Sequence, residues 1–194
     1  MSNEIRIIAG LGNPEEQHER TLHNAGFWFV DALAQKCGGV FRYEKKFDVE
    51  YCRINLHGED VWLVKPQSFM NLSGGPIRAV LDYYRLRATE LLVAHDEIDL
   101  PPGTTRFKKG GGHGGHNGLR DIIRHCGPDF VRLRIGVGHP GEKSKVTNYV
   151  LKRASNEVES EILKNVDDAV EVMPLLMDRG LNAAMKQLHT KESG

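Results

Sequence analysis

Thr104-Thr105-Arg106-Phe107-Lys108-Lys109-Gly110-Gly111-Gly112-His113-Gly114-Gly115-His116-Asn117-Gly118-Leu119-Arg120-Asp121-Ile122-Ile123 passes from a short strand through a glycine loop into a helix. Thr104 to Lys108 reads as the strand. Leu119, Ile122 and Ile123 recur at helical spacing. Six of the nine residues from Gly110 to Gly118 are glycine, far more than a packed core needs. Glycine runs occur where backbone approaches a ligand or adopts positive φ. A flexible surface linker has the same composition, and the loop alone does not separate the two. The flanks favour a site: Lys108 and Lys109 precede the loop, and the helix it opens offers its N-terminus to an anion.

The same alternation extends in both directions. Glu4 to Gly10 reads as a buried strand, and Asn24 to Lys36 as a helix stopped at Gly38-Gly39. Phe47 to Leu56 and Asp60 to Lys65 form a strand pair joined at His57-Gly58-Glu59. Pro76 to Tyr84 is a helix, with proline well placed in its first turn. Glu90 to Ala94 is a strand that delivers His95-Asp96-Glu97, and Phe130 to Val137 is another. From Ser155 the tail is helical, and Pro174 should kink or end it. Strands alternating with helices predict an α/β sheet with helices on its faces. Ligands in such folds bind where loops leave strand ends. Polar loops run over Asn13 to His23, Gln67 to Ser73, His95 to Asp99 and the glycine segment.

With 194 residues, the chain fits one domain with a substantial core. Three cysteines without a CxxC pair predict neither a disulfide framework nor a zinc knuckle. The passage from Met1-Ser2-Asn3-Glu4 into a short apolar run lacks the form of a signal peptide, and no apolar run has bilayer length. A cytoplasmic protein is the expectation. Net charge is zero, yet it is unevenly spread. Arg106 to Lys145 holds nine Lys and Arg against three acids, whereas Ser155 to Asp178 holds one Lys against seven. A basic segment is a weak footprint of an anionic partner.

Several chemistries can be weighed. Gly10-Leu11-Gly12-Asn13-Pro14 follows a strand but lacks the third glycine of a dinucleotide fingerprint. His113 and His116 flank glycines, and no HExxH occurs, so no metal site is expected. Ser68 and Ser73 sit in no nucleophile elbow, and Cys37, Cys52 and Cys126 read as small core residues. There remains a His–Asp pair acting on water: His23 on a loop, Asp96 at the end of a buried strand. On spacing alone His23 reads more readily as a helix cap or a surface histidine.

Six stretches, taken together and in order, carry a specific resemblance. They are Gly10 to Pro14, Thr21-Leu22-His23-Asn24-Ala25-Gly26, Lys65 to Gly74, His95 to Gly103, Gly110 to Leu119, and Arg132 to Pro140. The chain resembles the bacterial peptidyl-tRNA hydrolases along nearly its whole length. That resemblance implies a single-domain three-layer α/β sandwich with a twisted mixed sheet flanked by helices. The domain would span 1–194, with a helical C-terminal tail over 155–190. It also implies an enzyme that cleaves the ester between a peptide and the 3′ end of tRNA, recycling tRNA after premature release from the ribosome. By the same resemblance His23 is the catalytic base and Asp96 its orienting acid. Asn13, His18, Phe69, Asn71, His116 and Asn117 match substrate-binding positions, and Lys108 and Arg134 the pair that holds the 5′ phosphate. No cofactor or membrane contact is implied, and a monomer is expected.

Three residues depart from the family pattern. Glu15 replaces a usual glycine, His18 a tyrosine that contacts substrate, and Leu22 an arginine before the catalytic histidine. The competing class is a non-catalytic RNA-binding module on the same fold, against which intact His23 and Asp96 speak.

Overall fold

The computed structural model describes residues 4–193, with side chains as far as His189. Met1 to Asn3, on which the reading of the leader partly rests, lie outside the described residues. The strands are β1 (Ile7–Gly10), β2 (Arg42–Glu44), β3 (Val49–Leu56), β4 (Glu59–Pro66), β5 (Leu91–Glu97), β6 (Thr105–Lys109) and β7 (Val131–Gly136). The helices are α1 (Ala25–Cys37), α2 (Gly74–Tyr84), α3 (Asn117–Cys126), α4 (Val146–Val150), α5 (Asn156–Arg179) and α6 (Leu181–Ser193).

One mixed sheet runs in the order β2-β3-β4-β1-β5-β7-β6. Its middle, β4-β1-β5-β7, is parallel, and the hairpins β2-β3-β4 and β6-β7 are antiparallel. Parallel strands covered on both faces need continuous apolar sequence. β1 (Ile-Ile-Ala-Gly) and the first half of β5 (Leu-Leu-Val-Ala) supply it, and every one of these residues is buried. Alternation divides the core into two. Ile8, Leu63, Leu92, Leu133 and Ile135 face α1, α5 and α6 through Phe29, Leu33, Ile162, Val166 and Met173. Ile7, Ala9, Val64, Leu91 and Val93 face α2 and α3 through Ile77, Val80, Leu119 and Ile122. The result is three layers: helices, sheet, helices.

The expected elements recur, with two differences of consequence. Pro174 neither ends nor divides the tail helix: α5 continues to Arg179, and the break falls at Gly180, where φ is 91°. Proline removes one backbone hydrogen bond from the helix interior. Val170, Met173, Leu176 and Met177, all buried around it, hold that turn in place by packing. The second difference lies at the start of α3. Its free N–H groups were expected to face an anion. Instead, the Gly118 and Leu119 N–H groups donate to Nδ1 of His116, the chain's own cap.

Candidate active site

β1 lies between β4 and β5, and the chain crosses over it through α2 from one to the other, so loops on its two sides meet at its carboxyl end. A crevice at such a point is the expected ligand position. Two glycines bring the walls together. A Cβ on Gly10 would lie 2.3 Å from the Gly26 carbonyl oxygen, and one on Gly26 2.3 Å from the Ala94 carbonyl oxygen. Only glycine permits that approach of α1 to β1 and β5. It sets His23, three residues before Gly26, beside Asp96 near the end of β5.

His23 Nδ1–H donates to Asp96 Oδ2 at 2.8 Å, and His116 Nε2–H donates to Asp96 Oδ1 at 2.8 Å. The Asp96 side chain is 2% exposed. Burial opposes its ionisation, but the two imidazoles hold the carboxyl well below the usual carboxylate range. Burial likewise opposes charge on His23, and the Asp96 charge and hydrogen bond outweigh it, raising the imidazole above its ordinary value. Because His23 Nδ1 is committed to the carboxylate, Nε2 is the nitrogen left for substrate.

His116 is held differently. Its Nδ1 accepts two backbone N–H groups, so that nitrogen carries the lone pair and Nε2 the proton. Both ring nitrogens are therefore engaged within the protein. Next along β5, His95 Nδ1–H donates to the Asp96 carbonyl oxygen at 2.9 Å. Burial, followed by the neighbouring His116 ring, pushes His95 down to about 4.

The loop after β1 is fastened by Asn24, which sequence reading passed over as part of a motif. Its Oδ1 accepts the Asn13 N–H at 2.8 Å and its Nδ2 donates to the Asn13 carbonyl at 3.0 Å. Asn24 is buried, and a buried asparagine directly after a candidate base was the available signal. The Asn13 Oδ1 in turn accepts the Met70 N–H at 3.1 Å, which leaves its amide NH2 as the donating end. Phe69 and Asn71 stand exposed on the turn after β4, and Asn117 is exposed at the first position of α3. His18 does not join the histidine pair. It lies beside Glu15, 3.9 Å from that carboxylate, and near Gln17.

Two of the departures are easily accommodated. Glu15 has φ −66°, a conformation that needs no glycine. Leu22 is buried in the core under α1. Neither thiol nor hydroxyl chemistry competes for the site: burial pushes Cys52 and Cys126 up to about 11, and the Ser73 hydroxyl donates to the Met70 carbonyl.

The glycine segment is not a loose linker. Gly110, Gly111, Gly114 and Gly115 all have positive φ. Arg132, almost wholly buried, donates its guanidinium to the carbonyls of Gly111, Gly112 and Pro128. An arginine on the alternating face of a buried strand was the sequence signal for this anchor. Lys108 pairs with Arg132 and Arg106 with Arg134 in the β6–β7 ladder, so all four cations share one face. Lys108, Arg132 and Arg134 line a cavity of about 150 Å³ with His95, Glu97, Asp99 and His113. Arg134 Nε–H donates to Glu97 at 2.9 Å, and the outer guanidinium nitrogens remain for a further acceptor.

One nitrogen each of His23 and His116, together with Asp96, falls within 4.8 Å of the others, close enough for a metal ion. The donor set does not suit one. The helix cap puts the proton of His116 on the nitrogen that would have to ligate, and a ligating imidazole nitrogen must be unprotonated.

The family model described as peptidyl-tRNA hydrolase matches residues 7–194. A peptidyl-tRNA hydrolase of Shewanella halifaxensis is 50% identical over 192 residues, covering 98% of each chain. One from Marinobacter nauticus is 48% identical over 191 residues, 98% of this chain and 97% of that one. A crystal structure of peptidyl-tRNA hydrolase from Acinetobacter baumannii superposes with a TM-score of 0.94 at 44% identity, covering 97% of this chain and 96% of that one.

Proposed function

The chain belongs to the peptidyl-tRNA hydrolase family, and from that premise we propose how its residues hydrolyse the ester of peptidyl-tRNA. The observation that carries the reading is the His23–Asp96 pair at the carboxyl edge of the sheet. His23 Nε2 takes a proton from water as the water oxygen attacks the ester carbonyl. Asp96 holds the ring through Nδ1–H and stabilises the imidazolium that forms. Such a positioned base contributes roughly 10²–10⁴ in rate. The tetrahedral oxyanion is met by a neutral donor, for which the Asn13 amide NH2 is oriented by Met70. Asn71 and Asn117 are further candidates. One such donor is worth roughly 10²–10³ in rate. On collapse, the imidazolium returns its proton to the departing 3′ oxygen of tRNA. The products are a peptide acid and tRNA with a free hydroxyl.

Phe69, with its ring exposed beside Asn71, offers a stacking surface for the terminal base. Lys108 and Arg134 hold the 5′ phosphate in the cavity on the β6–β7 face, placing the acceptor stem without reading sequence. The enzyme acts as a cytoplasmic monomer, requires no cofactor, and works within one domain spanning 1–194. Among the described residues, no helix is long and apolar enough to cross a membrane. A non-catalytic RNA-binding role is disfavoured by the intact base and its carboxylate.

Turnover of an N-acetylaminoacyl-tRNA by wild type and by His23→Ala tests the reading. The variant should lose nearly all turnover while still binding tRNA. Retention of more than about a tenth of the wild-type rate would remove His23 as the base, since a general base is worth at least tenfold more than that.

A further inference from the structure

Asp96 is one carboxylate shared by two imidazoles at equal distance, 2.8 Å to each. Only one of the two can move a proton. His23 has Nε2 uncommitted. The His116 ring is wedged: a Cβ added to Gly118 would approach its Cε1 to 3.0 Å, and its Nδ1 is closed by the Gly118 and Leu119 N–H groups. Turning the ring, or shifting its proton to Nδ1, would uncap α3 and set N–H against N–H.

We propose that His116 is a positioning residue: a locked Nε2–H donor that holds one oxygen of Asp96 and thereby limits how much of the carboxylate's charge acts on His23. The proposal rests on the reading of His23 as the base. A hydrogen bond to a carboxylate draws charge toward its donor, so the two imidazoles compete for a single negative charge. The groups around His23 make this competition decisive. Asp96 faces it from β5 and His116 from the cap of α3, with ring centroids 5.0 Å apart. His95 stands behind His116, its centroid 5.3 Å from that ring, and is neutral. Asp96 is thus the charged group set directly against His23.

The arrangement serves the chemistry. The more carboxylate charge acts on the base, the larger its imidazolium fraction at rest and the smaller the fraction able to accept a proton. A second donor on the carboxylate leaves Asp96 to orient and stabilise His23 while drawing part of its charge away from that ring. Because the donor also caps α3, the glycine loop and the base share one fixing point.

Two variants separate the two tasks of His116. His116→Asn keeps a side-chain oxygen that caps α3 but is too short to reach Asp96; His116→Ala removes both. The pH dependence of kcat/KM on N-acetylaminoacyl-tRNA and the 15N titration of the His23 ring are measured for each. In His116→Asn the acid limb and the His23 titration should both move to higher pH, by about one unit, with KM little changed. In wild type the 15N shifts should show His116 protonated at Nε2 and bare at Nδ1. Three results would overturn the proposal: a His23 titration unmoved or lowered in His116→Asn, a wild-type His116 protonated at Nδ1, or a raised KM with an unchanged limb, which marks a substrate contact. The wild-type tautomer measurement stands even if a variant fails to fold. The titrations need no turnover, so an inactive wild-type enzyme would refute the hydrolase reading separately.

Discussion

The two ends of the candidate site are built on opposite plans. Around Asp96 the interior ligands are spent: both carboxylate oxygens, both His116 nitrogens and the Nδ1 of His23 have partners inside the protein. Of His23, Asp96 and His116, only His23 keeps a nitrogen, Nε2, open to substrate among the described residues. On the β6–β7 face the reverse holds. Lys108 is exposed and Arg134 is only partly committed, through Nε, to Glu97. Moving a proton requires a geometry set before substrate arrives, and a closed network supplies it. Holding a phosphate requires donors still to be satisfied. Mutations at the first end should therefore appear in kcat, and mutations at the second in tRNA affinity.

The sharpest way to break this contrast is Asp96→Asn. The amide can accept from one imidazole only, and His116, locked by its cap, cannot surrender its proton. The amide NH2 would then face His23 Nδ1 and move the ring proton to Nε2, where the lone pair is needed. A loss of about a thousandfold or more in kcat is expected, with little change in KM, because the wrong tautomer disables the base. A change in KM alone would make Asp96 a substrate contact.

The next effect reads the closed end through stability. His95 titrates near 4 in the folded chain against an ordinary value near 6.5. Its pKa is lowered, so the unfolded state binds the extra proton between those values. The His95 contribution to stability is thus full above about pH 6.5 and is lost as pH drops toward 4, by roughly 3 kcal/mol, while His23, its value raised, works in the opposite sense as it protonates. Asp96, with its folded value depressed, adds its loss only at still lower pH, below the ordinary carboxylate range. Urea unfolding across pH 4–7 should show this decline, and His95→Gln should flatten it. A His95→Gln variant with the same pH dependence as wild type would contradict the neutral buried His95.

At the open end, Lys108→Ala and Arg134→Ala should each weaken tRNA substrates by about tenfold, the worth of a phosphate contact, and flatten the log–log salt slope by about one. A peptide on a CCA fragment should be unaffected, and removing the 5′ phosphate from tRNA should erase the difference. Equal losses on tRNA and fragment would place these cations in the catalytic pocket instead. The smallest expected effect is none: dialysis against EDTA should leave turnover intact. Loss restored by zinc would turn the His23–Asp96–His116 cluster from a hydrogen-bonded set into a metal centre.

Much of this was legible in the chain. The uninterrupted apolar runs of β1 and β5 mark buried parallel strands whatever surrounds them. Gly110, Gly111, Gly114 and Gly115 announce positive φ, and Gly38 announces the end of α1. His23, Asp96, Lys108 and Arg134 stand out by their place in motifs. Pro174 does not end the helix: local propensity counts one lost hydrogen bond and cannot count the side chains packed around the turn.

Sequence by itself determined the alternation of strands and helices, the two-faced core and the residue types at the strand ends. These follow from periodicity and from what glycine and apolar side chains permit at each position. Only the tertiary structure decided that Asp96 serves two histidines, that Asn24 ties down Asn13, and that Arg132 anchors the glycine loop from a neighbouring strand. Each is a contact between segments far apart in the chain or a choice of hydrogen-bond direction. Spacing along one chain carries neither, because both depend on which strands pair and which face each side chain takes. The tautomer of His116 is the clearest instance: two backbone N–H groups set it, and they exist as donors only once α3 has formed.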